Sequence, residues 1–408
     1  MYVPFDQILN RSSVFQEILS SLKAEKGLCS VTGLIDSQKV HFSACLLHRM
    51  NLKGLYVTYN EFEAKKAYED FSFFFKDRVL HLPYREVMLY DIEAGSRDTA
   101  YTRLDVLSKV LAGEYDVLVL SVDSFVRKLC PAEIFKSRIL ELKAFDTADL
   151  DRLTETLVTM GYKRVDTVYK KGEFAVRGGI LDIFSVNYEN ALRIEFFDDE
   201  IDSIRFFDPE TQRSVEAVEK IKIIPAEEIQ MDRERLPEIF ENIRRALSQV
   251  KSDFVNMEKL REKTERDIEK LANQLYVPGL DRYAEFINDS PVSIFDYISE
   301  PVLLFADDYK KCAERMEIIQ KEHSETVTAL MEDGYLLPQC QNGLFSMEHF
   351  NEFLFSFPKS VYYAPFTPAK EIRYTALYGI NAKGVDLYER RIDFLIKDLR
   401  EMLKDRYS

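Results

Sequence analysis

The sequence is poor in the residues that build disulfide frameworks and metal centres. Its five cysteines are widely spaced and include no Cys-x-x-Cys pair, and its five histidines do not cluster. An odd number of scattered cysteines is typical of reduced thiols in a cytoplasm. We therefore predict a cytoplasmic protein without structural disulfides and without a metal site.

Long apolar runs and an excess of basic residues are also missing. No apolar stretch is long enough to span a bilayer, and the N-terminus lacks the basic and apolar regions of a signal peptide. The 55 basic residues are outnumbered by 70 acidic ones, which gives a formal net charge of −15. Because nucleic-acid affinity depends on phosphate neutralisation, this balance favours protein partners.

Familiar catalytic patterns are absent as well. The sequence contains neither Gly-x-Ser-x-Gly nor His-Glu-x-x-His, and spacing nominates no histidine-centred dyad. We therefore assign no catalytic residue. The many acidic side chains are interpreted as solvated faces and turns.

What the sequence does contain is the patterning of several globular domains. Residues 1–138 alternate strand-like and helix-like segments in the βαβ manner of a parallel sheet. Residues 139–223 change to period-two alternation with Gly and Asp turns, which predicts an inserted, mostly-β domain. Residues 224–352 read as a second α/β part, and residues 353–408 as a linker with a C-terminal amphipathic helix. The fold class is therefore predicted to be α/β with a β insertion.

The most informative part of the inserted domain is a predicted hairpin over residues 192–207. Side chains in a strand alternate between two faces. The inward, apolar set is Leu192, Ile194, Phe196, Ile204 and Phe206. The outward set is Arg193, Glu195, Phe197, Arg205 and Phe207. An outward Phe197 beside arginine has the composition of an interface hot spot, whereas the alternative is that another part of the same domain covers it.

A long motif around this hairpin carries a family resemblance. Residues 172–184 read Gly-Glu-Phe-Ala-Val-Arg-Gly-Gly-Ile-Leu-Asp-Ile-Phe, and further matches lie at 82–84, 115–121 and 276–279. The chain resembles the N-terminal module of the bacterial transcription-repair coupling factors (the Mfd family), which this family shares with UvrB. The resemblance implies two helicase-like, P-loop-derived α/β lobes with an inserted mostly-β domain.

The resemblance also implies a partner and its contact residues. In this family, the exposed face of the second domain binds UvrA, and the contact positions fall on Arg177, Arg193 and Phe197. Strand parity independently places Arg193 and Phe197 on the outward face. Arg177 lies outward if Phe174 and Val176 face the core, but without the resemblance it would be interpreted as a solvated charge.

The resemblance leads us to expect the other functions of the family in domains outside this sequence. The resemblance assigns RNA polymerase binding, double-stranded DNA binding with ATP and magnesium, and intramolecular inhibition to later domains. The predicted helix over residues 390–407 ends with the chain, so we expect a truncation there. No cofactor is expected for the present chain.

Residues 33–40 have the spacing of a phosphate-binding loop but depart from its pattern. Gly33 and Lys39 match G-x-x-x-x-G-K-[ST], whereas Gln38 replaces the second glycine and Val40 replaces the magnesium-binding hydroxyl. The bulk of Gln38 and the apolar Val40 favour an inherited loop that has lost its chemistry. Residues 303–308 resemble a Walker B strand and are interpreted as vestigial.

Two functions follow from these observations. The preferred one is a non-catalytic adaptor that recruits UvrA by mimicking the UvrA-binding surface of UvrB. The alternative is an ATP-dependent DNA-processing enzyme of the UvrB type, which requires the Lys39 loop to bind nucleotide. UvrB also grips DNA with a long aromatic hairpin, and the corresponding residues 82–101 are too short for one, so damage verification is not expected.

Overall fold

The computed structural model describes residues 6–24, 26–86, 89, 97–230, 233–250, 255–273, 277, 280–288, 290, 292–382 and 392–404. Three sheets organise these residues: one of seven strands, one of six and one of two. Helices pack on the seven-stranded sheet, and the six-stranded sheet forms a separate, mostly-β region. The predicted α/β fold class is confirmed.

The strands alternate with helices in the first third of the chain and then follow one another directly. In chain order the strands are β1 (Gly27–Thr32), β2 (Lys53–Thr58), β3 (Val79–Leu82), β4 (Val117–Ser121), β5 (Leu140–Lys143), β6 (Lys163–Arg164), β7 (Glu173–Arg177), β8 (Ile180–Ile183), β9 (Ala191–Phe197), β10 (Glu200–Phe207), β11 (Ser214–Ala217), β12 (Lys220–Ile223), β13 (Val302–Asp307), β14 (Lys359–Ala364) and β15 (Ala376–Gly379).

The α-helices cluster before β5 and after β12, with one between β5 and β6. In chain order they are α1 (Asp6–Leu9), α2 (Ser13–Lys23), α3 (Ser37–Met50), α4 (Glu61–Phe75), α5 (Asp98–Leu111), α6 (Val122–Phe125), α7 (Ala132–Ser137), α8 (Leu150–Thr159), α9 (Leu236–Gln249), α10 (Met257–Ala272), α11 (Ala284–Ile287), α12 (Tyr309–Glu332), α13 (Met347–Ser356) and α14 (Ile392–Lys404). Short 3-10 helices occur at Lys76–Arg78, Arg233–Arg235, Leu280–Tyr283, Ile294–Tyr297 and Pro338–Asn342.

The seven-stranded sheet is parallel and has the order β15-β1-β14-β13-β2-β4-β3. Every residue of β4 and of β13 is buried. Parallel strands covered by helices on both faces are expected to be continuously apolar, and these strands are apolar up to their last residues, Ser121 and Asp307.

Sheet order corrects the predicted division of the α/β part. Strand β13 comes from residues 224–352 and strands β14 and β15 come from residues 353–408, yet all three join the sheet begun by residues 1–138. Strands β14 and β15 of the predicted linker are therefore part of the α/β body. Parallel pairing joins strands far apart in the chain, so local patterning could not reveal it.

The six-stranded sheet has the order β11-β10-β9-β8-β7-β6 and is antiparallel except between β6 and β7. Strands β5 and β12, which precede and follow it, pair with each other, with Leu140 opposite Ile223. The chain therefore enters and leaves this region at adjacent positions, as an inserted domain does. The inner face of the sheet joins the same hydrophobic cluster as the α/β body, through Leu181, Ile194 and Ile204.

Buried ion pairs also connect the region after β12 to the α/β body. The guanidinium of Arg103 donates to the Glu228 carboxylate at 2.8 Å, and Arg127 lies 3.0 Å from Asp281. Burial by itself raises the pKa of Glu228, but the guanidinium groups of Arg103 and Arg85 outweigh this effect and lower the pKa to about 2. The carboxylate is therefore held ionised inside the protein.

Candidate functional site

The candidate site is the outward face of the six-stranded sheet, centred on the β9–β10 hairpin. Phe197 pairs with Glu200 across a two-residue turn in which Asp198 adopts a left-handed conformation, with φ of 55°. Asp tolerates this conformation better than most residues because its short side chain bonds locally. The tight turn fixes which side chains project outward.

Strand parity in the hairpin agrees with the prediction for the inward set. Leu192, Ile194 and Ile204 are buried, and Phe196 and Phe206 are partly buried against the same cluster. Phe197 projects from the opposite face and is 80% exposed. The alternative in which another part of the domain covers Phe197 is therefore not what the structure shows.

The two predicted contact arginines meet at one buried carboxylate. Arg193 donates to Asp182 from Nε at 2.6 Å and from Nη2 at 2.9 Å. Arg177 donates to the same carboxylate from Nη2 at 2.6 Å. The hydrogen bond with Asp182 raises the pKa of Arg193 above its ordinary value, so the guanidinium stays charged. Asp182 therefore fixes the positions of both arginines relative to the sheet.

Phe207 corrects one part of the outward prediction. It lies on the outward face as parity requires, but it is buried, and the Arg193 guanidinium stacks on its ring at 4.6 Å. Phe207 belongs to a small hydrophobic cluster on that face, whose other buried members are Val168, Ala175, Phe184 and Ala191. The segment around Val168 covers this half of the face, whereas the end near Phe197 stays open.

The outward face also contains polar side chains that the sequence analysis did not identify as contact residues. The Gln212 amide oxygen accepts from Arg193 at 3.3 Å, and Glu195 accepts from Ser203 at 3.0 Å and pairs with Arg205. Asp182 was the most important omission. Its signal was strand register, because Asp182 lies directly opposite Arg193.

Gly178 and Gly179 form the turn that joins β7 to β8. Gly178 has φ of 60°, and a Cβ on Gly179 would lie 2.8 Å from the backbone oxygen of Phe196. The backbone at Gly179 therefore lies close against β9, and a larger residue would not fit there. The approach lets the β7–β8 turn pack directly beside β9, which places Arg177 near the hairpin that carries Phe197.

In the loop that resembles a phosphate-binding motif, groups of the protein itself contact the backbone. The Gln38 side-chain oxygen accepts from the Ile35 backbone N–H at 3.2 Å. A Cβ on Gly33, which has φ of 89°, would collide with the backbone oxygen of Ile380 after β15. Backbone N–H groups are what such loops use to bind phosphate, so Gln38 engages one of the groups that the motif needs.

Lys39 is paired within the protein. Its Nζ lies 2.6 Å from Oδ1 of Asp307, the last residue of the strand that resembles a Walker B strand. The Tyr56 hydroxyl donates to the other oxygen of Asp307 at 3.0 Å. Val40 is buried, so its side chain packs into the core beneath the loop. Gly33 precedes α3, Gln38, Lys39 and Val40 lie in its first turn, and Lys39 has an internal partner in Asp307.

Several further observations bear on the predicted classes. All five cysteines are buried and unbridged. Within the described ranges, no helix is both long and apolar enough to cross a bilayer. The same residues bring no three His, Cys, Asp or Glu side chains together in a way that could hold a metal ion. Parts of three sequence features lie outside the described residues: most of the 276–279 motif, residues 87–88 and 90–96 of the segment compared with the UvrB hairpin, and residues 405–408.

Comparison with known proteins agrees with this picture. Residues 140–229 match the family model described as the UvrB interaction domain. The transcription-repair-coupling factor of Bacillus subtilis (strain 168) is 32% identical over 334 residues, which cover 81% of this chain and 28% of that protein. The transcription-repair-coupling factor of Staphylococcus aureus (strain USA300) is 26% identical over 385 residues, which cover 92% of this chain and 32% of that protein.

The chain thus spans about a third of the length of the curated relatives that it matches. The matched UvrB interaction domain coincides with the region that contains β5 to β12 and the candidate face. The chain corresponds to the N-terminal UvrB-homology module of the transcription-repair-coupling factor family.

Proposed function

We propose that this chain is a non-catalytic adaptor that binds UvrA through Arg177, Arg193 and Phe197. In this proposal the chain presents the surface that UvrB uses for UvrA and so recruits UvrA to stalled transcription complexes during nucleotide excision repair. RNA polymerase and double-stranded DNA would be engaged by other domains of a longer protein.

The observation that carries the proposal is the exposure of Phe197 on a rigid hairpin. Strands β9 and β10 already fix the backbone of Phe197, which is 80% exposed, so binding has to order only its side chain. Aromatic side chains that enter a partner pocket are typical interface hot spots. This ring offers such an anchor beside two oriented guanidinium groups.

The two arginines support the proposal in different ways. The Arg177 side chain is 52% exposed and, among the bonds described, uses Nη2 for Asp182, which leaves other N–H groups for a partner carboxylate. Arg193 is more buried and is held by Asp182 and Gln212. We therefore assign Arg177 to direct contact and Arg193 both to contact and to shaping the face.

The geometry of the 33–40 loop supports the adaptor rather than the enzyme. Gln38 engages a loop N–H, and Lys39 pairs with Asp307. A nucleotide would have to displace both interactions, and Val40 would still provide no oxygen ligand for Mg²⁺. These features favour a loop retained for its packing.

Calorimetric titration of purified UvrA with this chain tests the proposal. We expect saturable binding, and we expect a variant with Arg177→Ala and Phe197→Ala to show none under the same conditions. Circular dichroism and thermal unfolding of that variant check that the fold survives. Absence of binding by the unsubstituted chain would overturn the proposal.

A second titration addresses the enzyme alternative directly. A fluorescent ATP analogue with magnesium is added to the chain with and without single-stranded DNA. We expect no saturable binding. Tight, magnesium-dependent binding that Lys39→Ala abolishes would support the UvrB-type enzyme instead.

A further inference from the structure

A second phenylalanine is exposed beside the same hairpin. Phe145, in the connection between β5 and α8, is 73% exposed and has φ of 72°. A bulky side chain at positive φ is a conformational outlier, and such strain clusters at functional positions. Burial of the ring does not explain why phenylalanine occupies this position.

Backbone pairing places Phe145 at the tip of the β9–β10 hairpin. Its N–H donates to the backbone oxygen of Ile201 at 2.7 Å. Two residues later, Thr147 forms an antiparallel bridge with Glu200, which in turn pairs with Phe197. Directly opposed residues of antiparallel strands share a face, so Thr147, Glu200 and Phe197 lie in one row about 10 Å long. Phe145 precedes Thr147 by two residues and bonds to Ile201, so it lies near the hairpin tip, on the edge of β10 opposite β9.

The hairpin tip near Phe145 is mostly acidic, with Lys143 as an exposed cation nearby. Its exposed carboxylates come from both segments that meet at the tip: Asp146, Asp198, Asp199, Glu200 and Asp202. On the other half of the face, by contrast, arginines predominate and are paired with Asp182 and Glu195. A partner that covers the tip must therefore complement negative charge around apolar groups.

We propose that Phe145 is a second apolar anchor for UvrA, and that the UvrA surface facing it is an apolar depression edged by Lys or Arg. This inference rests on the proposed function, because it extends the same contact face. Its support is the backbone pairing of the Phe145 segment with the hairpin that carries Phe197, the exposure of both phenylalanines, and the exposed carboxylates of the two segments. The strained backbone at Phe145 is then tolerated because the ring is used in binding.

The strain makes a sharp test possible. Gly and Asn adopt positive φ at lower cost than Phe, so Phe145→Gly and Phe145→Asn should leave the thermal midpoint unchanged or raise it. We expect the same substitutions to weaken UvrA binding about tenfold or more, as loss of an anchor does. Loss of affinity with retained or increased stability separates a binding role from a structural one.

The controls distinguish failure of this inference from failure of the proposed function. Phe73→Ala removes another highly exposed ring, on α4 of the α/β body, and should leave binding unchanged. If the unsubstituted chain binds UvrA and Phe197→Ala weakens binding while both Phe145 variants bind normally, the second anchor is wrong. If the unsubstituted chain does not bind, the proposed function fails first.

Association rates test the charge of the partner surface. Stopped-flow measurements over a series of sodium chloride concentrations should show slower association as salt rises. Replacing Asp198 and Asp199 by Asn should slow association and flatten this salt dependence. An association rate that is indifferent to salt and to both substitutions would contradict a basic rim on the partner.

Discussion

The carboxylate of Asp182, which is 1% exposed, accepts both hydrogen bonds of a bidentate pair with Arg193, at 2.6 and 2.9 Å. Planar, two-point pairing of this kind fixes orientation as well as distance. Because Arg177 bonds to the same carboxylate, one side chain of β8 organises the cationic part of the candidate face. The face is therefore formed before any partner arrives.

Removal of the Phe197 ring should weaken UvrA binding without unfolding the protein. We expect Phe197→Ala to cost about 2 kcal/mol or more of binding free energy, because a central aromatic anchor is lost. The thermal midpoint should change little, since the ring is largely in solvent. Calorimetric titration measures the affinity, Phe73→Ala serves as the matched exposed control, and equal affinity for both variants would contradict the assignment.

Substitution of Asp182 should lower the stability of the protein. Asp182→Ala leaves Arg193 partly buried without its carboxylate, and we expect a loss of about 3 kcal/mol in the free energy of unfolding. Urea denaturation measures this loss. Glu189→Ala is the control, because Glu189 is 93% exposed in its ion pair with Lys171, and surface pairs contribute about 1 kcal/mol or less. Similar losses in the two variants would count against an organising role for Asp182.

Glu228 should make the protein acid-sensitive. Its folded pKa of about 2 lies below its ordinary value of 4.5, so the stability that it contributes is present above pH 4.5 and is lost as the pH falls toward 2. The difference corresponds to about 3 kcal/mol. We expect the unfolding free energy of the unsubstituted chain to fall more steeply below about pH 4.5 than that of Glu228→Gln. Parallel pH profiles for the two proteins would refute this role.

The 33–40 loop should not gain nucleotide binding from a single substitution. Gln38→Gly removes the side chain that engages the Ile35 N–H, but Val40 still lacks a hydroxyl and Lys39 still pairs with Asp307. We expect the double variant Gln38→Gly, Val40→Thr to bind a fluorescent ATP analogue better than either single variant, because both missing functions return. Tight binding by the unsubstituted chain would show that the loop is already competent.

Local features of the candidate face were predictable from the sequence because they depend on strand periodicity. The alternation over residues 192–197 determined which side Phe197 takes, and that is the exposed side. The same alternation placed Phe207 correctly but could not show that the segment around Val168 covers it. The exposure of a side chain depends on which other segments pack on its side of the sheet, and strand alternation does not predict those segments.

Residue patterns predicted the α/β class, the inserted β region, the hairpin and the altered phosphate loop, because each depends on residues close together in the chain. Only the tertiary structure brought Lys39 to Asp307, joined β14 and β15 to the first strands, and paired the backbone of Phe145 with Ile201 of the hairpin that carries Phe197. These relationships depend on non-local strand pairing, which local hydrophobic patterning does not specify.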